Sequence, residues 1–244
     1  DLTADGLDIT GFKDYLAGDS EDEDREELLR GLYRAYDLCD QEESHEHLLS
    51  ACRQLNYVPD PEGNLSVECL SLKALAENPA AFDLAYDMNS FWRADRFVVF
   101  HGPPKVPIEN LEQSAAHFES RLQEIFLQDK HSDRVRLRHY EEGGSINFVI
   151  YHEKQTKAEL VFGEGKTVVV TTLRPLQQDF VSYTPENGQV EIQARFDKET
   201  AALRKAFAET CLGDEEFFEE AEAGESINLA ILAESGFSLV TNNG

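Results

Sequence analysis

Apolar residues recur every three to four positions through the first 95 residues, which is the spacing of amphipathic helices. Short helical character begins at residues 9–16, before an acidic cluster. After that cluster comes a stripe that predicts a helix of about four turns, and its apolar side needs a packing partner. The stripe is formed by Leu28, Leu29, Leu32, Tyr33 and Tyr36.

Three further apolar stripes, in residues 48–55, 65–75 and 79–88, supply that partner. Proline and glycine residues near position 60 separate the first two of these, and the pair Asn78-Pro79 opens the last. The segments share no fixed period, which disfavours a helical repeat array. We therefore predict a small helical bundle in the N-terminal part of the chain.

From residue 96 the pattern changes to short apolar runs separated by turn residues, which is typical of β-strands. Residues 97–100 indicate a buried-type strand, and residues 108–127 indicate a long helix with one apolar face. Six strands are then predicted in hairpin succession, and a helix over residues 198–211 closes the unit. The predicted strands are residues 134–140, 146–152, 158–162, 166–172, 180–183 and 189–196.

The short spacings between these strands leave no room for the crossover helices that a parallel sheet requires. The predicted fold class is therefore α+β: a small N-terminal helical bundle packed with a mainly antiparallel sheet of about six meander strands, flanked by two helices. The predicted boundaries are an acidic helical unit at 1–95, an antiparallel-sheet unit at 96–212, and an acidic C-terminal segment at 213–244.

Charge is distributed unevenly over the 244 residues. The chain has 48 acidic and 22 Lys or Arg residues and a formal net charge of −26, of which residues 1–95 contribute −16, residues 96–210 only −2, and residues 211–244 −8. Acid concentrated at the two ends indicates particular surfaces that face water or a basic partner. The candidate partner-binding residues are Asp22, Glu23, Asp24, Glu215, Glu216, Phe217 and Phe218.

The second acidic cluster has two interpretations. Phe217 and Phe218 stand inside the acid, and pure solubilising tails rarely carry adjacent aromatic residues. A short docked helix with one wet face explains them, and so does an acidic-aromatic recognition segment. The sequence leaves both open.

The cysteine spacing, the length of the apolar runs and the spacing of metal-ligand residue types indicate the compartment and the cofactors to expect. Four widely spaced cysteines contain no CxxC pair, so we expect free thiols in a reducing, cytoplasmic compartment. The longest apolar runs are far shorter than the roughly 20 residues of a membrane span, so no membrane segment is expected. Cys39, Glu43 and His47 are spaced for one helix face, but their segment has the character of a helix boundary, and no metal or other cofactor is predicted.

An arginine strand is the main candidate for anion binding. Because side chains alternate across a strand, Arg134, Arg136 and Arg138 share one face while Val135, Leu137 and His139 take the other. Guanidinium groups in a row match a line of phosphates or carboxylates. The alternative is a wet sheet face whose arginines pair with carboxylates on the next strand, for example Glu153.

One loop carries the best enzymatic alternative. The run Gly163 to Thr167 ends like a phosphate-binding loop, but the earlier glycine and the following helix of that motif are missing. Glu164 and Lys166 also have the Glu-x-Lys spacing by which some metal-dependent nucleases place a carboxylate on magnesium and an amine beside the attacking water. No other catalytic template matches, so the sequence favours a protein that is not an enzyme.

The predicted function is a non-enzymatic protein-interaction or regulatory module that presents acidic surfaces to a basic partner, with nucleic-acid mimicry as a specific form. The alternative is a nucleic-acid- or nucleotide-associated protein that uses the arginine strand, with metal-dependent cleavage at Glu164 and Lys166 as its enzymatic version. Net charge opposes direct duplex binding. A third class, a structural domain excised from a larger enzyme, also stays open.

Overall fold

The computed structural model divides the chain into two compact units, Asp1–Ala94 and Asp95–Gly244. It describes residues 9–18, 23–39, 44–60, 63–128, 132–163 and 166–218. Among the residues singled out from the sequence, Asp22, Glu43 and Glu164 lie outside the described residues, as does the chain from residue 219 onward.

The first unit is helical, as predicted. The starts of its last two helices follow from local hydrogen bonds: the Ser66 hydroxyl accepts from the backbone N–H of Cys69 (3.4 Å), and the Asn78 side chain accepts from that of Ala81 (3.2 Å). Pro79 occupies the first turn of the final helix, where its missing N–H costs nothing. The helices are α1 (Ile9–Ala17), α2 (Glu23–Cys39), α3 (Ser44–Gln54), α4 (Val67–Glu77) and α5 (Pro79–Arg93).

Helices α2 to α5 pack together around small and medium apolar side chains, which confirms the predicted bundle. Leu38, Leu48 and Phe82 are fully buried there, together with several alanines that let the helices approach closely. Arg34 of α2 fastens α2 to α5, because it forms an ion pair with Asp83 (2.5 Å) and lies over the Phe82 ring, 5.0 Å from its centroid.

The apolar stripe predicted for α2 was wrong at three positions, since Leu28 is 38% exposed and the two tyrosines are exposed still further. Tyr33 and Tyr36 are 72% and 74% exposed, while Ala35 and Leu38 take the inner positions. The reason lies at Gly31, where an added Cβ would stand only 3.1 Å from Leu75 of α4. Close approach of α2 and α4 at this glycine turns the two tyrosines outward.

The second unit begins with a strand and a long helix, continues with six consecutive strands and ends with a helix. Its predicted hairpin turns occur where expected: Gly143 and Gly144 have φ of 60° and 86°, which matches the paired positive values of a tight hairpin turn. The elements are β1 (Val98–His101), α6 (Leu111–Gln128), β2 (Val135–Glu142), β3 (Ser145–Glu153), β4 (Lys157–Phe162), β5 (Val168–Leu173), β6 (Leu176–Thr184), β7 (Gln189–Gln193), α7 (Asp197–Phe207) and a π-helical turn (Ala208–Leu212).

Five strands form an antiparallel sheet in the order β1-β7-β6-β3-β2, and β4 and β5 form a separate two-stranded sheet. Helices α6 and α7 lie alongside the five-stranded sheet. The architecture confirms the α+β class, the antiparallel pairing and the two accompanying helices.

The continuous meander expected from the sequence does not occur. Strand β3 pairs with β6 instead of β4, from Ile146 opposite Tyr183 to Glu153 opposite Leu176. Beyond that pair the Lys154 N–H donates to the Pro175 carbonyl (2.7 Å), and pairing resumes at Lys157 opposite Leu173. Residues 154–156 thus oppose residues 174–175, so the strand pairing contains a bulge. Pro175 has no N–H and therefore removes one hydrogen-bond donor from this pairing. The β4–β5 hairpin leaves the sheet at this point.

Strand β1 also differs from expectation, because it lies at an edge of the sheet and pairs only with β7 among the described strands. Of its residues Phe100 is buried, whereas Val98 and Val99 are exposed. An uninterrupted apolar run is compatible with an edge strand as well as with a central one, so the pattern could not separate the two positions.

The core of the second unit is aromatic and fills the space between the sheet and its helices. Phe148 of β3 meets Phe118 of α6 edge-on, with ring centroids 5.9 Å apart, and Phe207 of α7 at 5.5 Å. Tyr183 of β6 extends the cluster to Phe207 at 5.6 Å and donates its hydroxyl to the Val106 carbonyl (2.8 Å). Edge-on rings at these separations add attraction beyond their buried area, so the helices are held firmly on this face.

Candidate interaction surfaces

The arginine strand is β2, and its side chains alternate as predicted. Val135 and Leu137 pack against the core, while Arg134 and Arg136 are exposed on the opposite side. Arg134 forms an ion pair with Glu153 of β3 (3.3 Å). This is the cross-strand pairing that the sequence offered as the alternative to anion binding, and at such exposure it contributes little to stability.

Arg138 differs from the other two arginines because it is partly buried. Its Nη2 donates to the Tyr151 hydroxyl (2.9 Å), and its guanidinium carbon lies 4.9 Å from the centroid of the same ring. The three arginines therefore have three different surroundings and do not form one row of exposed cations. Anion binding by Arg134, Arg136 and Arg138 stays a prediction.

The first acidic cluster continues into the beginning of α2. Glu23 is the first residue of the helix, and Asp24, Glu26 and Glu27 are exposed. Glu26 pairs with Arg30 one turn later (3.2 Å), an arrangement worth only a few tenths of a kcal/mol. Acid in a first helical turn favours the positive end of the helix dipole, which explains part of the cluster without a partner.

Two exposed tyrosines extend this acidic surface along α2, and they are the residues that sequence reasoning missed. Glu26, Arg30 and Tyr33 follow the i, i+4, i+7 spacing of one helix face, and Tyr36 lies three residues beyond Tyr33. We call Glu26, Tyr33 and Tyr36, with Glu27 at their side, the α2 surface, whereas Asp24 is seven residues before Gly31 and lies on the other side of the helix. Tyrosine is enriched in protein interfaces because its ring offers apolar area and its hydroxyl a polar contact.

The second acidic cluster packs largely within its own unit. Phe218 is 4% exposed and belongs to the aromatic core, and Phe217 meets it edge-on at 4.9 Å. Phe217 also lies against Gly102, where an added Cβ would stand 2.5 Å from its ring. These contacts account for the two aromatic residues without a partner. A role of Phe217 and Phe218 in recognition stays a prediction.

The acids of that cluster face a basic side chain of α7. Glu215 is 3.2 Å and Glu216 3.9 Å from the Lys205 ammonium. All three side chains are substantially exposed, so the pairs are weak. Both carboxylates remain accessible to water.

The loop proposed for metal-dependent cleavage is only partly within the described residues. Lys166 is exposed in a turn with φ of 62°, and Glu164 falls outside the described part. Where the structure describes the chain, no group of three or more His, Cys, Asp or Glu residues is arranged to hold a metal ion. Cys39 donates to the Ala35 carbonyl (2.9 Å), and His47 packs against Trp92 with ring centroids 6.1 Å apart.

The cysteines are free thiols, as predicted, and their surroundings differ. Burial raises the pKa of Cys211 to about 12, although its contact with the Thr210 hydroxyl opposes the shift. Burial also raises the pKa of Cys52 and Cys39. A thiol that stays protonated at neutral pH is a poor nucleophile, so these three side chains serve packing.

A short histidine–carboxylate contact joins β3 to β6 and is buried beneath α6. His152 Nε2 lies 2.9 Å from Asp179 Oδ2, Gln177 donates to the other carboxylate oxygen (2.7 Å), and the His152 ring stacks on Phe126 with centroids 4.2 Å apart. Both members of the pair are at most 1% exposed. A substrate in solution cannot reach them in this structure, so they are positioned to hold the core together rather than to catalyse.

Comparison with known proteins adds no functional assignment. No protein-family model matches the chain, and no curated protein has a significantly similar sequence. None of the described helices has the length and apolar character required to span a bilayer.

Proposed function

We propose that the protein is a non-enzymatic interaction module whose α2 surface binds a basic segment of a partner protein. The observation that carries the proposal is the pair of tyrosines, Tyr33 and Tyr36, exposed on the helix whose first two turns present Glu26 and Glu27. Large aromatic side chains at such exposure lose apolar hydration only when another molecule covers them.

The chemistry of this surface favours arginine or lysine in the partner. Carboxylates accept charge-assisted hydrogen bonds from guanidinium and ammonium groups, and the face of a tyrosine ring attracts the same cations. Glu26 already accepts such a bond from Arg30 within the helix (3.2 Å), and because that pair is exposed and weak, a cation of the partner can compete with Arg30 for the carboxylate. Net charge of −16 over residues 1–95 adds long-range attraction for a basic segment.

The test is the binding of a fluorescein-labelled peptide of alternating Arg and Gly residues to the full chain, measured by fluorescence anisotropy. We expect binding at low salt that weakens steeply towards about 0.15 M NaCl, where the Debye length is about 8 Å. Tyr33→Ser and Tyr36→Ser should each weaken binding roughly two- to fivefold, as expected for the loss of an exposed cation–π contact.

A matched pair of variants separates the α2 surface from net charge. Glu26→Gln with Glu27→Gln removes two charges at the surface, and Glu141→Gln with Glu142→Gln removes two from exposed positions at the end of β2. We expect only the first pair to weaken binding of the peptide. Equal loss in both pairs, or peptide binding insensitive to Tyr33→Ser and Tyr36→Ser, would refute the proposal.

Nucleic-acid mimicry and binding of nucleic acid through the arginine strand remain predictions without a specific contact that favours them. Arg136→Gln offers the most direct test of the second, since Arg134 already pairs with Glu153 and Arg138 with Tyr151. Unchanged oligonucleotide binding in that variant would remove the arginine strand from consideration.

A further inference from the structure

The β4–β5 hairpin exposes an apolar face that is separate from the α2 surface. Its register places Leu160 opposite Val170 and Phe162 opposite Val168. Because side chains alternate, these four share one side, where their exposures are 72%, 64%, 80% and 64%. Ala158 and Thr172 complete this side at the base of the hairpin. We call the six residues the hairpin face.

All described charges of the two strands lie on the other side. Lys157 and Glu159 form an ion pair with each other there, next to Val161 and Val169, which are each 40% exposed. The hairpin face itself contains no ionisable group. A charged ligand would find nothing on it to bind, so its occupant must be apolar.

We propose that the hairpin face binds the same face of a second copy of the protein. The face is tapered: its tip carries the large pair Phe162 and Val168, and its base carries the small pair Ala158 and Thr172. A two-fold axis between the stacked hairpins and perpendicular to their strands places the large end of each copy over the small end of the other. Leu160 and Val170 then meet their own counterparts, as an isologous interface requires.

Two copies that each carry a net charge of −26 repel each other, so a contact between them costs least where the meeting surfaces hold no charge. Residues 96–210 carry a net charge of only −2, whereas the regions before and after them carry −16 and −8. The acidic residues 211–218 belong to the same compact unit as the hairpin, so the advantage lies in the hairpin face itself, which has no ionisable group, and not in the charge of the whole unit. This inference concerns a different unit from the α2 surface and does not depend on the proposed function.

The size of the face determines the strength of the dimer. Six residues on two strands give a patch about 20 Å long and roughly 10 Å wide, well below the roughly 800 Å² per partner of a standard stable interface. We therefore expect a weak dimer that forms in the micromolar range or above and dissociates on dilution.

Sedimentation velocity over a concentration series of the full chain tests the proposal. The wild-type protein should shift from monomer towards dimer as concentration rises, and Leu160→Thr with Phe162→Thr should raise the dissociation constant at least about tenfold, since two apolar side chains lose most of their buried area. Threonine keeps the β-branched character of a strand residue, and circular dichroism checks that the fold is intact.

The matched control is Val161→Thr with Val169→Thr, which makes the same kind of change on the charged side of the hairpin. Self-association should be unchanged in this variant. A second readout is a short bismaleimide cross-linker applied to Val170→Cys in a Cys69→Ser background, which should link two copies, whereas Val169→Cys should not.

Three results would overturn the proposal: a wild-type protein that is monomeric at all accessible concentrations, self-association equally strong in the Leu160→Thr and Phe162→Thr variant, or cross-linking that does not distinguish the two sides. If the wild-type protein is monomeric and binds phosphatidylcholine vesicles in a way that depends on Phe162, the hairpin face binds lipid and not a second copy. The Tyr33→Ser and Tyr36→Ser variant should dimerise normally, so failure here and failure of the proposed function remain distinguishable.

Discussion

The five-stranded sheet and the β4–β5 hairpin consist of the same kinds of residue in opposite surroundings. In β3, Phe148, Val149 and Ile150 are fully buried, whereas all six residues of β5 are exposed. The two pairs of strands belong to one ribbon that is interrupted only by the bulge at Pro175. An apolar strand is therefore buried only where another element packs against it, because the preference of a residue for a strand depends mainly on its packing surroundings.

The largest expected difference between the two regions is in amide hydrogen exchange. Amides in β3 and β6 should exchange only through global unfolding, whereas a hairpin of two strands is marginally stable by itself. We expect β4 and β5 to exchange at least about 10³-fold faster than β3 in dilute protein, measured by mass spectrometry. Protection of β5 that rises with protein concentration would also support the dimer. Equal protection of both regions at low concentration would contradict the comparison.

Replacement of one phenylalanine in each region tests the same contrast energetically. Phe148→Ala removes a fully buried ring that touches Phe118 and Phe207, and should lower the free energy of unfolding by about 3–5 kcal/mol. Phe162→Ala removes a ring that is 80% exposed, and should change it by no more than about 0.5 kcal/mol. Urea denaturation of dilute protein measures both. A loss above about 2 kcal/mol in Phe162→Ala would show that the hairpin is packed in solution.

Two glycines in the turns of the sheet give a smaller effect and a matched pair. Gly188 has φ of 70°, and an added Cβ would stand 2.4 Å from the Gly102 carbonyl, whereas Gly143 has φ of 60° and open space around it. Gly143→Ala should cost about 1 kcal/mol from backbone strain alone, and Gly188→Ala about 2–4 kcal/mol because overpacking is added. Thermal unfolding compares them. Equal losses would mean that the 102–188 contact relaxes freely.

Much of the second unit could be predicted because its signals are local. Alternation along β2 assigned Val135 and Leu137 to the core side, and cross-strand geometry suggested the pairing of Arg134 with Glu153. The β3–β6 pairing could not be predicted, since it joins residues about 30 positions apart across an entire intervening hairpin. A bulge of three residues against two leaves no periodic trace in a single sequence.

The α2 surface was only half predictable for a related reason. The acids are visible in the sequence, but Tyr33 and Tyr36 have the spacing of a buried stripe, and tyrosine suits a core as well as an interface. Gly31 was the available signal, because a glycine inside a helix marks either weakness or a close helix contact. Which face it favours depends on Leu75 of α4, a partner that only the folded structure identifies.

The edge of the sheet gives a smaller expected effect than the buried ring of Phe148, and it concerns the protection of an end strand. Strand β2 is an end strand, and Glu119 of α6 accepts a hydrogen bond from its Leu137 N–H (2.7 Å). A helix side chain thus occupies a donor that another strand would otherwise use.

Glu119→Ala should lower the free energy of unfolding by about 1.5–3 kcal/mol, as for a hydrogen bond to a charged group, and Glu119→Gln should lower it less because an acceptor remains. Urea denaturation measures both variants, and Glu124→Ala is the control, because Glu124 is an exposed acid on the same helix whose ion pair is with Arg121 of that helix. Because Glu119 accepts its hydrogen bond from β2, its loss should speed amide exchange at Leu137 and leave exchange in the β4–β5 hairpin unchanged. An unchanged rate at Leu137 would mean that the carboxylate does not guard this edge.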